Sequence, residues 1–164
     1  MSTGADYNDV GTGSTCKPYS LQTCAHHVDP PAGMVACSSL PSYKTPACKS
    51  SCTESTYSKE YKSDKSFASS HYSVRTVTNI QKELMEHGTV SVAMTVYEDF
   101  ETYTSGIYQH VTGKNLGGHS IKMIGWGVDN GTPYWLCVNS WNDSWGEKGL
   151  FLSLIHISEP TRRS

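Results

Sequence analysis

The chain has 164 residues, a formal net charge of −2 and 17% charged residues, against ~25% in typical soluble proteins. This length suits one compact domain or one large piece of a bigger one. The balance offers no basic surface, which argues against a nucleic-acid binder, and no run reaches the roughly 18 apolar residues of a membrane-spanning helix. Polarity comes from hydroxyls instead, 23 Ser and 16 Thr; with 10 Tyr and 14 Gly this suits a loop-rich, β-leaning protein of the secreted kind.

Residues 1–75 read as irregular. Gly11-Thr12-Gly13-Ser14 lacks the Lys-Ser/Thr ending of a phosphate loop. Cys16, Cys24, Cys37, Cys48 and Cys52 crowd a 37-residue stretch that also holds Pro30, Pro31, Pro41 and Pro46, while Cys137 stands alone. A long structureless stretch needs a staple, and this one reads as disulfide-bonded in an oxidising compartment. Six cysteines allow 15 pairings. A zinc module built on Cys24, His26, Cys48 and Cys52 is the rival reading, weakened because no second tight Cys pair joins Cys48-x3-Cys52. Residues 1–6 have neither the basic nor the apolar region of a secretory signal, so the true beginning is expected further upstream.

One helix comes next, with Thr78 as its cap, Gln81 completing a capping box, Ile80, Leu84 and His87 at helical spacing and Gly88 as a left-handed stop. Strands are predicted at 90–97, 107–111, 120–126, 134–138 and 150–152, with an Asn-Gly hairpin turn at 129–132. The pattern is an antiparallel sheet or partly closed barrel led in by one helix. It divides the chain into a disulfide-rich region at 1–75, a β-rich domain at 76–152, and a tail at 153–164. That tail reads as non-native and is excluded from the fold.

Within the β-rich region, His119 follows Gly117-Gly118, where a substrate backbone could approach closely. Asn139 lies one hairpin later. An amide oxygen that fixes an imidazole tautomer is what a thiol nucleophile's base requires. An isolated pair of this kind is more often a half-buried His and a turn Asn. Cys137 reads as a small buried hydrophobe and not as a nucleophile. Asn130-Gly131-Thr132 and Asn142-Asp143-Ser144 are both glycosylation sequons.

The surrounding motifs change that balance. Gly117-Gly118-His119-Ser120-Ile121, Gly125-Trp126-Gly127, Tyr134-Trp135, Asn139-Ser140-Trp141 and Trp145-Gly146-Glu147-Lys148-Gly149 resemble, in order and spacing, the C-terminal half of papain-like cysteine peptidases. Cys16-Lys17-Pro18-Tyr19 through Cys24-Ala25-His26-His27 resembles the occluding loop of the cathepsin B group, and residues 105–113 resemble the same group. The likeness covers residues 3–152. It implies an α+β, papain-like fold, here mainly the right-hand antiparallel β-barrel-like domain plus the stapled occluding loop.

By position it also implies His119 as catalytic base, Asn139 as its orienting amide and Trp141 as the indole shielding their bond. Gly118 would border the substrate backbone and Ala93 would line the second pocket. His26 and His27 would receive the substrate's terminal carboxylate, as charge-assisted donors below about pH 6.5. Disulfides Cys24–Cys37 inside Cys16–Cys52 are implied, with the partner of Cys48 upstream.

The family's nucleophilic Cys and oxyanion Gln would also lie upstream, so this chain alone is expected to be inactive. The implied whole is a peptidase of peptides and proteins, lysosomal, vacuolar or secreted, with a propeptide and protease inhibitors as partners, and without cofactor or metal. A silent peptide-binding homologue is the alternative. One departure stands out. The Arg and Asp that commonly latch the loop are absent, since residues 28–36 hold no Arg and Ser144 precedes Trp145, so a looser loop is expected.

Overall fold

The computed structural model describes residues 10–44 and 47–155. They divide into two compact units, one of residues 10–24, 30–44 and 47–71, the other of 25–29 and 72–155. The division differs from the one expected at residue 75: the segment carrying His26 and His27 belongs with the β-rich unit.

The first unit has one short 3-10 turn, Cys37–Ser39, and is otherwise turns and bends. With so little ladder, its shape depends on cross-links. Cys16–Cys52 and Cys24–Cys37 are bonded, with Cα separations of 4.7 and 4.9 Å, in the nested pairing that the resemblance implies. Cys24 and Cys52 therefore have no thiolate to offer, and the zinc set loses two of its four donors. Beside the outer bridge, the amides of Thr53 and Glu54 donate to the Cys16 carbonyl. The buried Glu54 carboxylate accepts from the Gly11 amide at 2.6 Å and from Thr56 Oγ1 at 2.7 Å.

The second unit opens with helix α1, Val77–Glu86, followed by β1 (Val90–Tyr97), α2 (Glu98–Glu101), β2 (Ile107–Tyr108), β3 (Asn115–Asp129), β4 (Thr132–Val138) and β5 (Leu150–Leu154). The cap of α1 is Thr76, whose hydroxyl accepts from Asn79 N at 3.4 Å, and not Thr78. Two threonines two residues apart offer the same chemistry, and with the first as cap Val77 and Ile80 pack against the core. Gly88 ends the helix at φ +96°, as its position predicts.

The sheet order is β1-β3-β4-β5-β2. Three of the four pairings are antiparallel, but β2 runs parallel to β5, so the sheet is mixed. Strand β2 stops after two residues because the Asp99 carboxylate gathers the residues just beyond it, accepting from the Val111 and Thr112 amides at 2.8 and 3.0 Å. Ser153 and Leu154 pair with Trp135 and Tyr134, and the Ile155 amide donates to Pro133 O. The boundary at 152 therefore falls inside a strand. Residues 156–164 of the expected tail lie outside the described residues. At the β3–β4 turn Asn130 and Gly131 both have positive φ, +48° and +80°, as a two-residue hairpin with the right-handed strand twist requires.

The core gathers Val96, Phe100, Tyr103, Ile121, Met123, Trp135, Cys137, Trp145 and Phe151. Its centre is Phe100, fully buried on the single turn of α2, with Phe151, Trp145 and Trp141 rings at 4.9, 5.0 and 5.3 Å. Among the described residues, no helix is long and apolar enough to cross a membrane.

Candidate active site

His119 lies on β3 opposite Met94 of β1, and Asn139 immediately follows β4, its amide tied to Gly149 O at 2.9 Å. The β3–β4 pairing brings the two side chains together, with His119 Nε2 2.8 Å from Asn139 Oδ1. The Ser140 amide also points at that oxygen, at 2.8 Å. An N–H donor fixes the atom it meets as the carbonyl oxygen, which can only accept, so His119 Nε2 must carry a proton. Nδ1 then holds the lone pair of the neutral ring and is the nitrogen able to take a proton from a nucleophile.

Asn139 is 8% exposed, and nothing among the described residues accepts from its buried Nδ2. An unsatisfied buried donor costs about 1–3 kcal/mol, and such groups cluster where function requires the placement.

Trp141 covers the pair, its ring 5.4 Å from that of His119. Phe100 and Trp145 meet it edge-on at 5.3 and 5.1 Å, so this indole is an extension of the core. Gly117 needs its missing side chain for φ +120°. At Gly118 a Cβ would meet nothing within 4 Å, so the chain's own packing does not ask for glycine there, and the open space lies on the His119 strand. Ala93 pairs with the neighbouring Ser120, both exposed, at the same end of the sheet. The resemblance implies Ala93 but not Ser120, which only the register places beside it.

His26 and His27 reach the same surface. The His27 ring lies 4.3 Å from Trp141, and the His26 ring 5.8 Å from His27. Burial first, and then the charge of its neighbour His27, hold the His26 imidazole below its ordinary range. Two further contacts have no signal in the sequence. Glu101 Oε1 lies 3.7 Å from His27 Nδ1, and Asn142 Nδ2 donates to the His26 carbonyl at 3.3 Å. Ser144, at the expected latch position, instead donates its hydroxyl to Asn142 Oδ1 at 2.6 Å. The absent Arg–Asp latch is thus answered by a different set of contacts. Cys137 is 1% exposed in the core, and burial pushes its thiol up to about 12, which removes it as a nucleophile.

The family model described as papain family cysteine protease matches residues 6–159. The chain belongs to that family. Among relatives of this papain-family chain, cathepsin B-like cysteine proteinase 4 of Caenorhabditis elegans is 52% identical over 139 residues, covering 83% of this chain and 40% of the relative. Cathepsin B-like cysteine proteinase 5 of the same organism is 46% identical over 159 residues, with coverages of 96% and 45%. A cathepsin B-like cysteine proteinase of Schistosoma japonicum is 47% identical over 149 residues, with coverages of 90% and 41%. The papain-family chain thus spans less than half the length of the curated relatives it matches.

Proposed function

We propose that this chain supplies the general base and its orienting amide to a cathepsin B-like cysteine peptidase, the thiol and oxyanion donors coming from sequence outside these 164 residues. The observation that carries the reading is the 2.8 Å bond from His119 Nε2 to Asn139 Oδ1, which leaves Nδ1 as the free base. Nδ1 takes the thiol proton, and the thiolate attacks the peptide carbonyl. The imidazolium then returns a proton to the leaving amine, and neutral His119 next activates the water that releases the acyl group. Asn139 Oδ1 favours the imidazolium throughout, and Trp141 keeps water from competing for that bond.

His26 and His27 fit the role of donors to a substrate's terminal carboxylate, which would favour removal of C-terminal dipeptides beside endopeptidase action. Peptides, proteins, a propeptide and protease inhibitors are the partners this reading assigns. The disulfides support a lysosomal, vacuolar or secreted location.

The test uses the full-length activated enzyme and a fluorogenic peptide. His119→Ala should abolish turnover, and Asn139→Ala should lower kcat by about 10²–10⁴-fold with a smaller change in KM. Wild-type kcat in either variant would overturn the assignment. The 164-residue chain alone should give no turnover, and activity that survives repurification and disappears in His119→Ala would refute that.

A further inference from the structure

Resting on the cysteine peptidase reading, we propose that Glu101 sets a substrate preference: its carboxylate selects a basic side chain, Lys or Arg, on the first residue of the leaving peptide. Helix α2 carries three acidic residues in one turn, Glu98, Asp99 and Glu101. Two of them hold the neighbouring chain. Glu98 Oε2 accepts from the Lys114 amide at 3.0 Å, and Asp99 accepts from the Val111 and Thr112 amides and the Tyr108 hydroxyl. Glu101 has no such task. Among the described residues its carboxylate meets only the His27 imidazole, with Oε1 3.7 Å from Nδ1, and its side chain is 35% exposed. Its backbone is nevertheless fixed, because the buried Trp145 donates its indole N–H to the Glu101 carbonyl at 3.0 Å. Glu101 is thus a firmly mounted negative charge that the fold itself uses only weakly.

Its place follows from the path of the leaving peptide. The departing amine sits at His119, which protonates it, and a terminal carboxylate ends on His26 and His27. Trp141 stands between, its ring 5.4 Å from that of His119 and 4.3 Å from that of His27. Two residues of extended chain reach about 7 Å, so a leaving dipeptide crosses this indole on its way from one imidazole to the other. Phe100, the neighbour of Glu101 on α2, meets Trp141 at 5.3 Å, so Glu101 flanks the same crossing. The first leaving residue lies over the indole, and the second is already at the histidines. A Lys or Arg in the first place pairs with the carboxylate, a neutral residue gains nothing, and an Asp or Glu is repelled. A part-exposed pair of this kind changes a rate constant by up to about fivefold, so attraction and repulsion together separate Lys from Glu by roughly tenfold.

The experiment uses the full-length activated enzyme at pH 6 and four peptides that end in a free carboxylate two residues beyond the cleaved bond. Three differ only in the first leaving residue, Lys, Gln or Glu; the fourth has Gln there and Lys at the second. Dipeptide release is followed by chromatography, and kcat/KM ratios are taken within each variant, so that a smaller folded fraction cancels. Wild type should prefer Lys to Glu by about tenfold at low salt, and by only about twofold in roughly 0.5 M salt. Glu101→Gln should flatten the order at both salt concentrations, and Glu101→Lys should reverse it. No Lys preference in wild type, a Lys-to-Glu ratio unchanged in Glu101→Gln, or a preference confined to the second leaving residue would overturn the proposal. Failure to cleave any of the four peptides would instead sink the peptidase reading, and this preference with it.

Discussion

Asn139 Oδ1 and the Asp99 carboxylate do related work at the scale of single residues, since each is an acceptor that forces its neighbours into one arrangement. Asp99 Oδ2 takes the amides of Val111 and Thr112, and Oδ1 takes the Tyr108 hydroxyl at 2.7 Å and lies 3.1 Å from His110 Nδ1. Burial would raise the Asp99 pKa, but the two amides, Tyr108 and His110 outweigh it, and the carboxyl is held well below the ordinary carboxylate range. A carboxylate depressed in the folded state gives stability that is complete above its unfolded pKa, near 3.9, and is lost as pH falls through the lower folded value. Asp99→Asn should therefore cost about 2–3 kcal/mol between pH 5 and 7. The gap to wild type should narrow only below about pH 4; urea titrations across that range check both the size and the sign. Cys137 gives a second residue-level expectation. Mass-spectrometric alkylation at pH 8 should leave it unlabelled in the native enzyme and modify it fully in denaturant, because burial both excludes reagent and holds the thiol neutral. Native labelling would show that the strand opens.

Between elements, the segment at 25–29 is fastened by three side chains from two places: Glu101 at the end of α2, and Trp141 and Asn142 beyond β4. The His27–Glu101 pair is partly exposed, so its worth is about 0–1 kcal/mol. Even so, Glu101→Gln in the full-length enzyme should raise the endopeptidase-to-exopeptidase ratio by up to about fivefold at pH 5. An unchanged ratio at pH 5 would show that Trp141 and Asn142 hold the segment without it.

These contacts also mark where the sequence stops being readable. Strand β1, the hairpin turn and the Gly88 stop come from periodicity and turn chemistry, because one residue type at one position decides each. His119 and Asn139 can be picked out because the motifs around them resemble those of papain-like peptidases in order and spacing. Helix α2 cannot: four residues with no periodic run carry no signal, and Phe100 becomes the core's centre only after Trp145 and Phe151 arrive from 45 and 51 residues away. The pairing of Glu101 with His27 is longer still in sequence, and neither residue has a local pattern that points to the other. The Thr76 cap escapes a reading of the sequence because Thr78 satisfies the same rule.

For the molecule as a whole, the two units rest on different physics. The first has almost no regular backbone ladder, so its order comes from two bridges, worth about 3 kcal/mol for the inner loop and nearly 4 for the outer by chain entropy, with overlap reducing the sum. The second has a five-stranded sheet over an aromatic core. Replacing Cys16 and Cys52 together by Ser should thus abolish hydrogen-exchange protection around Thr53 and Glu54 while Ile121, Met123 and Cys137 keep theirs; equal loss in both places would mean that the bridge supports the sheet too. The parallel β2–β5 pairing has a consequence during synthesis. Ile107 pairs with Leu152, and a ribosome adding about 5–20 residues per second makes Leu152 roughly 2–9 s after Ile107. For that interval β2 has no strand to join, whereas Asp99 and its ring of donors at 108–112 are already complete. Every partner of that carboxylate is thus local in time as well as in sequence, whereas the partner of the outermost strand is among the last residues of the sheet to be made.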